Sequence, residues 1–120
     1  ESLRDAAMTT MERGEPLSIL LIDIDHFKRV NDKHGHQAGD QVIRTLAKTL
    51  QQNVKGRDTT ARYGGEEFAV VLPATTLADA MRVAENIRAS IESLHVRSFN
   101  RNEDLGRITA SVGVATYRLG

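Results

Sequence analysis

Four carboxylates stand out by their positions. Asp23 and Asp25 close the apolar run Ser18-Ile19-Leu20-Leu21-Ile22, and Glu66 and Glu67 follow the paired glycines in Ala61-Arg62-Tyr63-Gly64-Gly65-Glu66-Glu67-Phe68. A hairpin tip has use for the glycines but not for two acids set directly before an apolar run from Phe68 to Leu72. Carboxylates gathered in one small site repel each other. They stay ionised only with a cation between them; otherwise one of them takes up a proton. Oxygen-only ligands suit Mg²⁺, which keeps several waters and binds through one or two carboxylates plus substrate phosphates. Such a metal offsets charge on a phosphoryl group and lowers the pKa of a bound hydroxyl. Side chains alternate along a strand, so Glu66 and Glu67 are expected to point different ways and to do different jobs. The plainer reading is a solvated hairpin with charge at its tip. Two aspartates at the end of a buried strand weigh against it.

Further residues extend the same chemistry. Lys28 follows the aspartates on the first turn of a short helix, where backbone N–H groups favour anions and an ammonium adds a phosphate contact. Asn31 and Asp40 flank the polar stretch Asn31-Asp32-Lys33-His34-Gly35-His36-Gln37-Ala38-Gly39-Asp40. A carboxylate can accept the two N–H donors on the guanine edge, and an amide can serve a guanine acceptor. Both have a structural alternative: Asp40 as the N-cap of the next helix, Asn31 as a turn residue. His26, His34 and His36 do not follow a zinc spacing and no cysteine assists them. No P-loop is present, so any nucleotide is bound in another way.

The elements that must position these residues follow from hydrophobic period. Residues 2–13 read as a helix with Leu3, Ala6, Ala7 and Met11 near one face, broken by Gly14-Glu15-Pro16. Ser18 to Asp25 reads as a buried strand, Phe27 and Val30 mark one short helix, and residues 31–40 read as a polar loop. Residues 40–54 form a helix with the stripe Val42, Ile43, Leu46, Ala47, Leu50 and Val54. Thr59 to Tyr63 and Glu67 to Leu72 are strands around the glycines. A helix over 77–94 carries Leu77, Ala80, Met81, Ala84, Ile87, Ile91 and Leu94, a polar connection covers 95–106, and the last strand runs from Ile108 to Tyr117. After the leading helix the order is βαββαβ, the α+β ferredoxin-like plan. In that plan the first strand is central and the third pairs beside it, so Asp23, Asp25, Glu66 and Glu67 are expected to converge.

Composition bounds the partners. The chain of 120 residues has 40% hydrophobic and 27% charged residues, enough for one domain with a real core. A formal net charge of zero gives no broad attraction to a nucleic-acid polymer or an anionic membrane. The absence of cysteine removes disulfides, zinc thiolates and thiol catalysis, and fits a reducing compartment. No signal peptide or apolar run of membrane-spanning length is visible. The chain starts without Met and stops at Gly120 just after a strand-like run, so it is read as a fragment of a longer protein.

The sequence resembles the GGDEF family of diguanylate cyclases. The resemblance rests on LLIDIDHFKRVNDKHGHQAGD (residues 20–40), RYGGEEFAVVLP (residues 62–73) and ITASVGVA (residues 108–115), in consistent order over nearly the whole chain. Glu66 is then the permitted variant of the signature's central Asp, giving GGEEF. The resemblance implies a nucleotidyl cyclase, polymerase-palm-like domain that condenses two GTP into cyclic di-GMP with release of pyrophosphate. It implies a homodimer with one GTP on each of two facing domains, and Mg²⁺ or Mn²⁺, two per active site. By position, Asp23, the Ile24 carbonyl and Glu66 hold metal, and Glu66 accepts the proton of the ribose 3′-hydroxyl with Glu67 assisting. Lys28 contacts phosphate, and Asn31 and Asp40 read guanine with His36 beside them. Phe27, Gly64 and Gly65 also fall among the substrate-binding positions. The family's Arg-x-x-Asp product-inhibition site is degenerate here: Asp58 matches, but Lys55 stands at the Arg position and Arg57 is out of register. The family's flanking N-terminal and C-terminal motifs are absent, so the domain is expected to be incomplete at both ends. It is expected in the cytoplasm, in a protein whose sensor portion sits elsewhere in the chain or at a membrane.

Two alternatives remain. One is a catalytically inactive domain of the same fold that binds GTP or cyclic di-GMP and regulates a partner. Degenerate domains lose the signature acids or the metal aspartate, whereas Asp23, Lys28, Asn31, Asp40, Glu66 and Glu67 are all retained here. The other is a template-directed polymerase palm, disfavoured by neutral charge and the lack of a basic stripe.

Overall fold

The structure is a computed structural model that describes residues 3–54, 58–97 and 104–118. Helix α1 (Leu3–Glu12) ends at Gly14, whose φ of 71° takes the chain into the left-handed region open to glycine. There the Glu15 N–H donates to the Thr10 carbonyl at 3.2 Å, the six-to-one bond of a Schellman closure. The apolar face expected on this helix, Leu3, Ala6, Ala7 and Met11, involves side chains outside the described residues. The chain continues as β1 (Leu17–Ile24), α2 (Phe27–His34), α3 (His36–Asn53), β2 (Thr59–Arg62) and β3 (Glu67–Pro73). Then come α4 (Leu77–Glu92), β4 (His95–Arg97), β5 (Asp104–Arg107) and β6 (Ala110–Tyr117). No described helix is long and apolar enough to cross a membrane.

The main sheet has the order β2-β3-β1-β6 with every described pairing antiparallel. Two βαβ units interlock, each with a strand of the other between its own two strands. This is the ferredoxin-like sandwich expected from the sequence. Alternation along β1 sends Leu20, Ile22 and Ile24 into the core and leaves Leu21 and Asp23 exposed. The core closes with Phe68, Val70 and Leu72 from β3, Val42, Leu46 and Leu50 from α3, and Ala80, Ala84, Ile87 and Ile91 from α4. Ala47 and Val54 are only partly buried against it. Ser18, buried at the far end of β1, donates to the Thr75 carbonyl at 2.7 Å and meets the Thr116 hydroxyl at 2.7 Å. A buried hydroxyl is thus satisfied where a strand must pass under a loop.

Three expectations are corrected. The polar stretch 31–40 is not a loop: it is the end of α2 and the start of α3, with Gly35 alone between them at φ 92°. Its polarity reports solvent exposure, not irregular backbone. Second, residues 95–106 contain the β4–β5 hairpin, a separate two-stranded sheet whose Val96 and Leu105 are buried. Strands of three and four residues are too short to read as a period. Third, the α4 stripe is narrower than its period suggests. Leu77 and Met81 remain 52% and 54% exposed, because the sheet covers only the Ala80–Ala84–Ile87–Ile91 line.

Candidate active site

Antiparallel register places Asp23 opposite Glu67 in the β1–β3 ladder, and the next N–H along, that of Ile24, donates to the Glu66 carbonyl at 3.3 Å. The end of β1 and the exit of the glycine turn therefore share one edge. Glu66 holds its proton more tightly than an ordinary carboxyl. Its carboxyl is partly withdrawn from water, faces the charge of Asp23, shares a hydrogen bond with Asp23 and lies near Glu67. Glu67 is engaged differently. It takes a hydrogen bond from the Tyr63 phenol, whose pKa is raised by desolvation first, then by the charge of Glu67, by that bond and by the charge of Asp23. The two adjacent glutamates thus have distinct partners.

The turn between β2 and β3 is braced by a residue that sequence reasoning passed over. Arg62 donates from Nε to the Gly64 carbonyl at 3.1 Å and from Nη2 to the Gly65 carbonyl at 2.7 Å. Its planar fork fixes both glycine peptides at once. The one signal was an arginine two residues ahead of the glycines. Neither Gly64 nor Gly65 has a positive φ, so the hairpin does not need them for a left-handed turn. A Cβ on Gly64 would meet the Glu67 side chain at 3.1–3.3 Å, and one on Gly65 would meet nothing within 4 Å. Gly64 gives Glu67 room to fold back, and Gly65 leaves the outer side of the turn open.

Asp25 does not join the acidic cluster. The strand ends at Ile24, and the Asp25 carboxylate accepts hydrogen bonds from Thr109 Oγ1 at 2.9 Å and Ser111 Oγ at 2.7 Å. Two hydroxyl donors at the start of β6 hold it on the opposite side of β1 from Glu66. The converging acids are Asp23, Glu66 and Glu67.

Beyond Asp25 the chain reverses at His26, which sits in the left-handed region at φ 57° and ψ 31°. His26 is the N-cap of α2 but no side chain caps the helix, so its first-turn N–H groups have no side-chain acceptor. Phe27 opens α2 and packs against the core, and Lys28 follows, exposed. Asn31 is the fifth residue of α2, half-buried, and lies over Gly39 of α3. A Cβ there would fall 1.8 Å from Asn31 Oδ1 and 3.2 Å from Phe27 Cζ. Gly39 is what lets α2 and α3 approach this closely. Read as part of a loop, it had no such role. His36 opens α3, and Asp40 lies one turn further on, both exposed. Asp40 is therefore not the N-cap of α3, a position held by Gly35, and Asn31 is not a turn residue.

Among the described residues no three His, Cys, Asp or Glu side chains gather closely enough to hold a metal ion by themselves. Two carboxyls facing each other remain, Asp23 and Glu66, with the Ile24 backbone between them in the ladder. That small, all-oxygen set fits a hard divalent cation that takes its other ligands from water and phosphate. Asp58 immediately precedes β2 and is half-buried, whereas Lys55 and Arg57 lie outside the described residues.

Residues 1–120 match the family model described as diguanylate cyclase, GGDEF domain. The chain is 46% identical over 106 residues to diguanylate cyclase VdcA of Vibrio cholerae, covering 88% of this chain and 31% of that protein. It thus spans less than a third of that relative. Among solved structures it is similar to the GGDEF domain of DgcB from Caulobacter crescentus in complex with c-di-GMP. The TM-score is 0.89 at 40% identity, over 97% of this chain and 68% of that one. It is also similar to the active GGEEF domain of a diguanylate cyclase from Vibrio cholerae. There the TM-score is 0.82 at 36% identity, over 95% and 70% of the two chains.

Proposed function

Because the chain belongs to the GGDEF family of diguanylate cyclase domains, we propose that it condenses two GTP molecules into cyclic di-GMP. Each half-reaction forms a bond from a ribose 3′-oxygen to the α-phosphorus of the other GTP and breaks the bond to pyrophosphate. The 3′-hydroxyl proton goes to a carboxylate. Two such steps close the ring, which requires two domains facing each other with one GTP on each.

The observation that carries this reading is the shared hydrogen bond of Asp23 and Glu66 beside a turn with an open outer side. Asp23, Glu66 and the Ile24 carbonyl would hold Mg²⁺ or Mn²⁺, with two ions per site as the family resemblance implies. When bound, the metal neutralises phosphate charge and makes the 3′-hydroxyl more acidic. Glu66, ionised beside the cation, accepts the 3′-hydroxyl proton. Glu67, tied to Tyr63, supports the metal side. Lys28 and the uncapped first turn of α2 take the phosphates, since N–H groups there point at an anion. Asn31 and Asp40 read the guanine edge with His36 beside them, and Phe27 supports that pocket from below. A GGEEF sequence is compatible with activity, the Vibrio cholerae GGEEF structure being that of an active domain.

The domain works in the cytoplasm within a longer signalling protein, and cyclic di-GMP also binds it weakly at Lys55, Arg57 and Asp58. The test is incubation of the full-length protein with GTP and Mg²⁺ and identification of the product by mass. Formation of cyclic di-GMP supports the proposal. Binding of GTP without turnover would make the domain a nucleotide-binding regulatory module instead.

A further inference from the structure

We propose that Asp25 is a positioning residue that aims the Ile24 carbonyl at the acidic site through a clasp on β6. Three bonds join Asp25 to the start of β6. Its N–H donates to the Thr109 carbonyl at 2.9 Å, and its carboxylate accepts from Thr109 Oγ1 at 2.9 Å and Ser111 Oγ at 2.7 Å. The peptide joining Ile24 to Asp25 is planar and trans, so its N–H and C=O point in opposite directions. With the Asp25 N–H fixed toward β6, the Ile24 carbonyl faces the β3 side, where Glu66 lies. The Ile24 N–H, donating to the Glu66 carbonyl at 3.3 Å, fixes the same orientation independently, because N–H and C=O of one strand residue share a side.

Among the described residues, the clasp and the Ile24 N–H bond are what hold this end of the strand. The β1–β6 ladder ends at the pair Ile24–Ala110, and the next residue, His26, is a left-handed, side-chain-uncapped helix start. A chain that reverses at a non-glycine residue in that region stays there only if its neighbours hold it. Asp25 is that neighbour, and it is exposed enough that its pairing with two hydroxyls is not explained by a need to satisfy a buried charge. One carboxylate therefore sets where a backbone oxygen points and where α2, with Lys28, begins.

This inference rests on the metal site proposed above. The test uses the full-length protein, with Mn²⁺ as the probe. Mn²⁺ binding is followed by electron paramagnetic resonance and turnover by GTP consumption, for the parent, Asp25→Asn, Asp25→Ala and the double variant Thr109→Val/Ser111→Ala. Partners that orient a metal ligand typically change affinity by about 10- to 100-fold when removed. The expected result is a loss of Mn²⁺ affinity in that range for Asp25→Ala and for the double variant. Turnover should recover as Mn²⁺ is raised, and the KM for GTP measured at saturating Mn²⁺ should match the parent's. Asp25→Asn, which keeps the shape and one acceptor, should fall between. Parental Mn²⁺ affinity in all variants overturns the inference, whether or not their melting temperature drops. So does failure of high Mn²⁺ to restore turnover in variants that remain folded. A parent that itself neither binds Mn²⁺ nor forms cyclic di-GMP instead overturns the metal-site reading, a distinguishable failure.

Discussion

Asp23 and Glu66 come from segments more than forty positions apart, yet their carboxyls share a hydrogen bond where the end of β1 meets the exit of the glycine turn. Two carboxylates this close can share one proton or one cation. Without a cation Glu66 is the member of the pair whose proton affinity is raised; with a cation between them both are ionised, and Glu66 is then a carboxylate able to accept a proton. Glu66→Gln keeps the shape and removes the charge. Cyclisation is expected to fall by at least ~10²-fold, the scale of a lost general base, with the circular dichroism spectrum unchanged. Parental turnover in this variant would take Glu66 out of the mechanism.

The same pair predicts a pH and metal signature. A carboxyl whose pKa is raised by folding costs the folded state nothing below its unfolded pKa. The cost grows as pH rises from there and is complete above the folded pKa. For Glu66 that window opens at the ordinary glutamate value and extends upward. Under chelator, Glu66→Gln is therefore expected to melt above the parent at neutral pH and level with it in acid. Mg²⁺ should raise the parent's melting temperature and leave the variant's nearly unmoved. Melting curves across pH with and without Mg²⁺ decide it, and an Mg²⁺ response of parental size in the variant would count against this site.

Gly39 offers a test of the α2–α3 contact. A methyl group there would lie 1.8 Å from Asn31 Oδ1, so Asn31 must swing away or the helices must part. Overpacking of this kind costs about 1–3 kcal/mol. Gly39→Ala is expected to lower stability by that amount and to weaken GTP binding as well, since it displaces a proposed guanine ligand. Adding Asn31→Ser should recover stability but not GTP affinity. Recovery of both would mean that Asn31 does not touch the base.

How far the sequence alone reaches is clear from particular residues. The βαββαβ order was legible because β1, β3, α3 and α4 bury continuous or periodic apolar sets, and that order brings the end of β1 beside the start of β3, whereas the Asp23–Glu67 register comes from the structure. Asp25 was misplaced because spacing shows that a residue lies beyond a strand but not which neighbour claims it. Here two hydroxyls at Thr109 and Ser111 did so across 84 and 86 positions. The 31–40 segment was misread because one glycine with positive φ separates two helices whose outer faces are polar. Arg62 escaped notice because its partners are backbone carbonyls, which carry no residue-type signal.

Asp40→Ala separates base reading from a structural role. As the fifth residue of α3, exposed and away from the cap, Asp40 contributes little to helix stability, so the melting temperature should move by no more than a surface substitution does. If its carboxylate accepts the guanine N–H donors, removing it leaves charge-assisted bonds of about 1.5–3 kcal/mol unmade. GTP affinity is then expected to fall about tenfold or more while ATP affinity stays the same. Competition binding of the two nucleotides measures the ratio. An equal loss for both would assign Asp40 to electrostatics of the site and not to base reading.

The segment Lys55-Gly56-Arg57-Asp58 carries the last prediction. In the family's product-inhibition motif an arginine stands three positions before the aspartate, and here that position is Lys55. An arginine fork grips a phosphate or guanine edge through two parallel bonds, whereas a lysine offers one mobile point charge. Losing one charge-assisted bond of about 1.5–3 kcal/mol raises a dissociation constant roughly tenfold or more. Cyclic di-GMP is therefore expected to inhibit the parent weakly and Lys55→Arg about tenfold more tightly, with KM for GTP equal in the two. Titrating product against the initial rate of each protein measures this. Equal and tight inhibition in both would mean that Arg57, beside Asp58, already supplies the missing fork. Equal and absent inhibition would mean that these residues only connect α3 to β2.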